Sequence, residues 1–215
     1  MNQVYVILSA VSVALLGPVV VVLLAATAWT IWRLGHATSE AWLRRRTTAT
    51  YAAVLESLRT AANLRLARRV DAVGPRLLAL WAAEASEPAH AEEALERSLD
   101  RVELQARARV ERLRLVARIG PALGLMGTLI PLGPALVALA EGNLERLARN
   151  LVVAFGTTVL GLLVAVLAQV LAVAYGRWYA TDLADIEHLV ARWSQRMQPE
   201  DDSATLRTLQ ESETR

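Results

Sequence analysis

Cysteine and lysine are both missing from this chain of 215 residues, and phenylalanine occurs once. Without cysteine there is no disulfide framework, no thiol nucleophile and no Cys-based metal centre. Without lysine, all 23 basic residues are Arg, which reflects composition bias and not a mechanism. A third absence matters more. Three long stretches, Val4–Trp32, Ile119–Ala140 and Leu151–Tyr175, contain no Asp, Glu, Arg or His. The three histidines, His36, His90 and His188, lie outside them. No nucleophile–base pair and no metal-ligand cluster is evident, so the chain is expected to have no catalytic residues, no metal and no cofactor.

What is present is apolar. Hydrophobic residues make up 54% of the chain and the mean hydropathy is +0.33. Each uncharged stretch exceeds the ~20 residues needed to cross the hydrocarbon core of a bilayer. The sequence therefore predicts an all-α integral membrane protein with three spans. Ala26-Thr27-Ala28 resembles a leader cleavage site, but Met1-Asn2-Gln3 carries no basic residue. The first apolar run is also about twice the ~7–15 residues usual in a leader, so it reads as a retained span.

Between the first and second spans lie 86 residues, Arg33–Arg118, with 16 Arg and 11 acidic residues. Arg44-Arg45-Arg46 follows the first span, and Arg107, Arg109, Arg112, Arg114 and Arg118 crowd the entrance to the second. Arg-dense flanks stay cytoplasmic. This places the N-terminus outside and the C-terminus inside the plasma or inner membrane. The Arg clusters behind the pI near 9.5 thus read as topology and a solvated helix face, with a site for membrane lipid headgroups or a partner as the alternative, and not as nucleic-acid binding.

The predicted organisation is a first span over 1–32, a helical cytoplasmic domain over 33–118, and a second span over 119–140. A short external loop over 141–150 leads to a third span over 151–175, a cytoplasmic extension over 176–198 and a disordered tail over 199–215. Gly74-Pro75 and Ser86-Glu87-Pro88 read as breaks within the cytoplasmic domain. Apolar residues recur in helical phase at Leu95, Leu99, Val102, Ala106, Val110, Leu113 and Ala117. A second row runs through Ala172, Tyr175, Tyr179, Leu183, Ile186, Val190, Trp193 and Met197. The second and third spans should therefore continue into the cytoplasm as long helices.

Both spans carry rows of small residues. The second reads Gly120, Gly124, Gly127, Pro131, Ala135, Ala138; the third reads Ala154, Thr158, Gly161, Ala165, Ala168, Ala172. Steps of three and four keep each row on one helix face. Lipid offers no hydrophobic drive for helices to associate, so close backbone approach must hold them together. Gly120, Gly124, Gly127, Ala154, Gly161 and Ala165 are accordingly expected to pack helix on helix. Thr128 and Thr158 lie on these rows, where a hydroxyl faces a neighbouring helix or a lumen. Any other Thr is as readily bonded to its own helix. Gln169 reads as an interhelical hydrogen bond. Pro121, Pro131 and Pro134 read as kinks, or as exposed carbonyls beside a wet path. Proton movement through lipid needs a group that changes protonation, or an unbroken water chain. A Thr hydroxyl holds no proton in store at physiological pH, so a second chain would have to bring the acid.

At these residues the chain resembles the MotA/TolQ/ExbB proton-channel family. Gly120-Pro121-Ala122-Leu123-Gly124-Leu125-Met126-Gly127-Thr128 is similar to the family's Pro-x-Leu-Gly-Leu-x-Gly-Thr pattern. Phe155-Gly156-Thr157-Thr158-Val159-Leu160-Gly161-Leu162 is similar to its Thr-x-x-Gly-Leu pattern. Three spans with a large cytoplasmic loop fit the TolQ/ExbB branch. The resemblance implies a homopentamer around a single-span partner of the ExbD/TolR/MotB type, which carries a membrane Asp. It implies Thr128 and Thr158 as pore-lining hydroxyls of an ion-motive-force-driven channel, and Thr157 and Pro131 are expected to line the same pore. Many ExbB and TolQ chains carry Glu five residues before the last-span Thr; Val153 stands there in this chain, as in a divergent branch. A passive scaffold recruiting cytoplasmic proteins and a small-solute transporter are the alternative readings.

Overall fold

The computed structural model describes residues 2–61, 77–85 and 92–213, with side chains over 14–58, 77–81 and 97–192. Five helices follow one another: α1 Asn2–Arg46, α2 Thr48–Ala61, α3 Leu77–Ala85, α4 Glu92–Ala140 and α5 Leu144–Glu213. No strand occurs among the described residues. Among the described residues, α1, α4 and α5 are long and apolar enough to cross a membrane. The expected breaks at Gly74-Pro75 and Ser86-Glu87-Pro88 lie outside the described residues.

The chain divides into two units. One comprises residues 1–38 and 109–174; the other comprises 39–108 and 175–215. Their cores differ in kind. In the first, α4 and α5 bury Ala135, Ala138, Ala154, Ala165, Ala168 and Ala172. Small side chains there let backbones meet, which brings the close packing that holds helices together in lipid. In the second, Tyr51, Leu55, Leu58, Leu78, Trp81, Tyr179, Ile186 and Leu189 are buried. Large side chains suit a core formed from water, where burial gains about 25 cal/mol per Å² of apolar area.

Helix boundaries depart from the sequence reading in three places. The first span was bounded at Trp32, but α1 runs on to Arg46, because the single Gly35 costs too little to end a helix; the passage of α4 through Arg118 is the long helix expected of the second span. The predicted ten-residue loop over 141–150 is only a turn over 141–143, and Leu144–Asn150 already forms the start of α5. Beyond Gln198, where disorder was expected, α5 continues to Glu213. The residues from Glu200 to Glu213 contain no Gly and several strong helix formers, including Ala204, Leu206, Arg207, Leu209 and Gln210, which sustain a helix without an apolar stripe.

The α4–α5 turn is closed by both of its ends. Gly142 has φ +70°; its N–H donates to the Leu139 carbonyl at 3.0 Å, and the Asn143 N–H donates to the Ala138 carbonyl at 2.8 Å. These two bonds satisfy carbonyls that the end of α4 would leave open. Asn143 then caps α5, its side-chain oxygen accepting from the Arg146 N–H at 2.9 Å. Gly142→Ala, which forces a Cβ into the left-handed region, should cost about 1–2 kcal/mol. A lowered thermal transition in detergent would register it.

At the other end of the first apolar stretch, the Arg33 guanidinium lies 5.3 Å from the Trp29 ring centre and 6.0 Å from that of Trp32. Trp32 is 59% exposed. Tryptophan beside arginine at the end of an apolar helix is the usual mark of a bilayer–water boundary.

Candidate functional site

The seam between α4 and α5 follows from glycine. A Cβ added at Gly161 would lie 2.7 Å from the Gly120 carbonyl oxygen and 2.8 Å from Gly124 Cα. One added at Gly120 would lie 2.9 Å from the Gly161 oxygen and 3.2 Å from Ala165 Cβ. Here backbone meets backbone. Gly127 is filled differently: its missing Cβ leaves the notch that Thr157 occupies, with Thr157 Oγ1 at 2.5 Å and Cβ at 2.6 Å from the vacant position. Ala154 is buried on the same helix face.

Because the backbones approach so closely, two hydroxyls from different helices come together. Thr128 Oγ1 and Thr158 Oγ1 are 3.1 Å apart. Thr158 Oγ1 also donates across the seam to the Gly124 carbonyl at 3.1 Å. The Thr128 hydroxyl has two carbonyls of its own helix within reach, Gly124 at 3.1 Å and Leu125 at 2.9 Å. Both side chains are half-buried, so the pair sits at the edge of the seam and remains open on one side. Two hydroxyls and a shared carbonyl give a compact neutral polar spot that can accept a hydrogen bond from a visitor, and can donate one when a hydroxyl turns from its carbonyl.

Thr157 and Pro131, named from the sequence as pore-lining, are both buried within the chain itself. Thr157 is 6% exposed, and its hydroxyl is directed back to its own helix, to Val153 and Ala154 carbonyls at 3.1 and 2.9 Å. One residue of helical rotation, about 100°, separates it from Thr158. That rotation turns Thr157 into the Gly127 notch and leaves Thr158 at the edge. Gln169, read from the sequence as an interhelical bond, is exposed and makes no hydrogen bond among the described residues. Val153 is 42% exposed.

Around this seam the surface is apolar. Val152, Phe155, Val159, Leu162, Val166 and Val170 of α5 are more than half exposed, as are Leu125, Leu129 and Leu136 of α4. The seam thus carries a polar hydroxyl pair at its edge, on an antiparallel helix pair whose apolar stretches hold no charge.

The comparison with known proteins decides the family. The MotA/TolQ/ExbB proton channel family matches residues 52–188. The chain belongs to that family. The match extends from α2 through most of α5. Among curated proteins no relative matches the chain. The family is one of proton channels and not of enzymes, and this member is a multi-pass membrane protein.

A second polar cluster escaped the sequence reading. In the unit comprising 39–108 and 175–215, Arg44 forms a bidentate pair with Asp182: Nη1 to Oδ1 at 3.0 Å and Nη2 to Oδ2 at 2.9 Å. Asp182 is 0% exposed and Arg44 8%. Glu40 accepts from Arg44 Nε at 3.0 Å, the Trp178 ring centre lies 5.2 Å from the guanidinium, and the Leu77 N–H donates to Asp182 Oδ2 at 3.1 Å. Burial disfavours the guanidinium charge, but Asp182 and Glu40 outweigh it and hold the Arg44 pKa above its ordinary value. Arg44 was read as one of three topology-setting arginines. The available signal was Asp182 itself, a carboxylate standing in phase with Tyr175, Tyr179 and Ile186. Leu183, the residue the periodicity favoured, is only half-buried.

Proposed function

We propose that this chain is the pore-forming subunit of an ion-motive-force-driven proton channel. In this reading five copies ring a single-span partner of the ExbD/TolR/MotB type, in a cytoplasmic membrane, with the N-terminus outside. The observation that carries the reading is the half-open Thr128–Thr158 pair in an apolar stretch without any carboxylate. A neutral polar spot of this kind stabilises an acid from another chain in either protonation state. It accepts from the neutral carboxyl and donates to the carboxylate. The partner's Asp would be protonated from outside, pass the threonines, and release its proton towards the Arg-flanked side. Each charge that crosses is worth about 2.3 kcal/mol per 100 mV of membrane potential, enough to bias movement of an asymmetric partner inside a symmetric ring. Thr158, and not Thr157, is the residue assigned to the path.

Reconstitution in liposomes tests this. The complex with its partner should dissipate a pH gradient, and the chain alone should leave it intact. Thr158→Val keeps the shape but removes the hydroxyl, and should lower flux through the complex about tenfold, the scale of one lost hydrogen bond. Thr157→Val should change stability more than flux. Rapid dissipation by the chain alone, or undiminished flux in Thr158→Val, would refute the proposal.

A further inference from the structure

The contacts along the seam fix a register. Gly127 meets Thr157, Gly124 meets Thr158 and Gly161, and Gly120 meets Gly161 and Ala165. The helices run antiparallel through the turn at 141–143, so one further turn along α4 brings Ala117 to the level of Ala168 and Gln169. Ala168 is buried and Gln169 beside it is exposed. At that same level α4 has an irregularity of its own. Pro121 has no N–H, so the Ala117 carbonyl cannot receive the α-helical bond that residue 121 would otherwise donate.

Resting on the channel reading above, we propose that Gln169 and the Ala117 carbonyl form a second polar layer of the ion path, which holds water. Gln169 lies eleven residues from Thr158, close to three full turns, so the two share a face of α5 and stand about 16 Å apart. The Ala117 carbonyl precedes the exposed Arg118 at the end of the apolar stretch, within reach of water, and an amide with no partner is strongly disfavoured in hydrocarbon. Two polar groups at one level point to water there. The neighbouring face offers the contrast: Val159, Val166 and Val170 are 64%, 60% and 59% exposed and wholly apolar. That valine face meets lipid, while the Thr158–Gln169 face meets the lumen. A proton released by the partner's acid at the threonines is then passed to water ordered at Gln169. Gln169 is a positioning residue, since an amide neither gains nor loses a proton in this range.

The absence of cysteine makes the test direct. In membranes holding the assembled complex, single Gln169→Cys, Val166→Cys and Val170→Cys variants are exposed to a charged methanethiosulfonate reagent, which reacts only where water reaches. Gln169→Cys should react at least about tenfold faster than either valine variant; equal rates would overturn the proposal. Proton flux gives the second arm. Gln169→Leu should reduce flux through the complex about tenfold and Gln169→Asn should restore most of it. Undiminished flux in Gln169→Leu would refute the role. So would loss of the assembled complex in that variant, because the amide would then be a subunit contact. A wild-type complex that conducts no protons sinks the channel reading itself, whereas a conducting wild type with an equally conducting Gln169→Leu sinks only the second layer.

Discussion

Adding one methyl group at Gly161 should push α4 away from α5. The new Cβ would sit 2.7 Å from the Gly120 oxygen and 2.8 Å from Gly124 Cα, and backbone atoms inside two helices cannot turn aside as a side chain can. Over-packing of this kind costs about 1–3 kcal/mol for Gly161→Ala, and Gly161→Leu should not accumulate in the membrane at all. The damage should reach the polar pair, since Thr158 donates to the Gly124 carbonyl that the new methyl displaces. The measurement is the thermal transition of the detergent-purified chain, with Gly156→Ala as control. A Cβ at Gly156 meets nothing within 4 Å, and alanine favours a helix over glycine by up to about 1 kcal/mol. Gly156→Ala should melt at or above the wild-type temperature. If Gly161→Ala melts with it, the glycine seam is not what joins these helices.

Asp182→Ala should be the most damaging single change among the charged residues. It removes both carboxylate contacts from the buried Arg44 guanidinium, and it strips the Leu77 N–H of its acceptor. Removing one member of a buried ion pair typically costs 3–5 kcal/mol, roughly the whole margin of a small folded unit. Replacing both members by apolar residues of similar size avoids the stranded charge. Arg44→Met with Asp182→Leu should therefore recover most of the loss. Protease protection of the segment around Leu77, compared across the two single variants and the double, gives the coupling. Additive effects would show that the pair acts independently and that the bidentate geometry contributes nothing. By contrast, the exposed pairs Arg114–Glu111 and Arg149–Glu145 should be removable with little change, as surface pairs in water usually are.

Much of the fold was legible because the relevant signals are local. Uncharged length identifies a span, and the steps Gly120, Gly124, Gly127, Pro131, Ala135, Ala138 mark one face of α4, all six of which are buried. The row Val102, Ala106, Val110, Leu113 is likewise buried along the same helix. Other features were missed where a local rule had two outcomes. The polar run after Gln198 carries no apolar stripe, so it read as disorder, yet its residues favour a helix by themselves. The turn at 141–143 was overestimated because Leu144–Asn150 is polar enough to pass for loop, while the Asn143 cap that starts α5 is a single residue.

The sequence by itself determined three membrane-length helices, a glycine-lined face on two of them, and an apolar interior without an acid of its own. Each of these depends only on residue type and spacing along one helix. The tertiary structure decided which of two adjacent threonines is buried and which stays open, which arginine of three is paired, and which residue of α5 sits level with Pro121. Those outcomes depend on the rotation and register of one helix against another. The contacts that set them join residues 30 to 138 positions apart, and no periodicity within a single segment specifies the angle at which two segments meet.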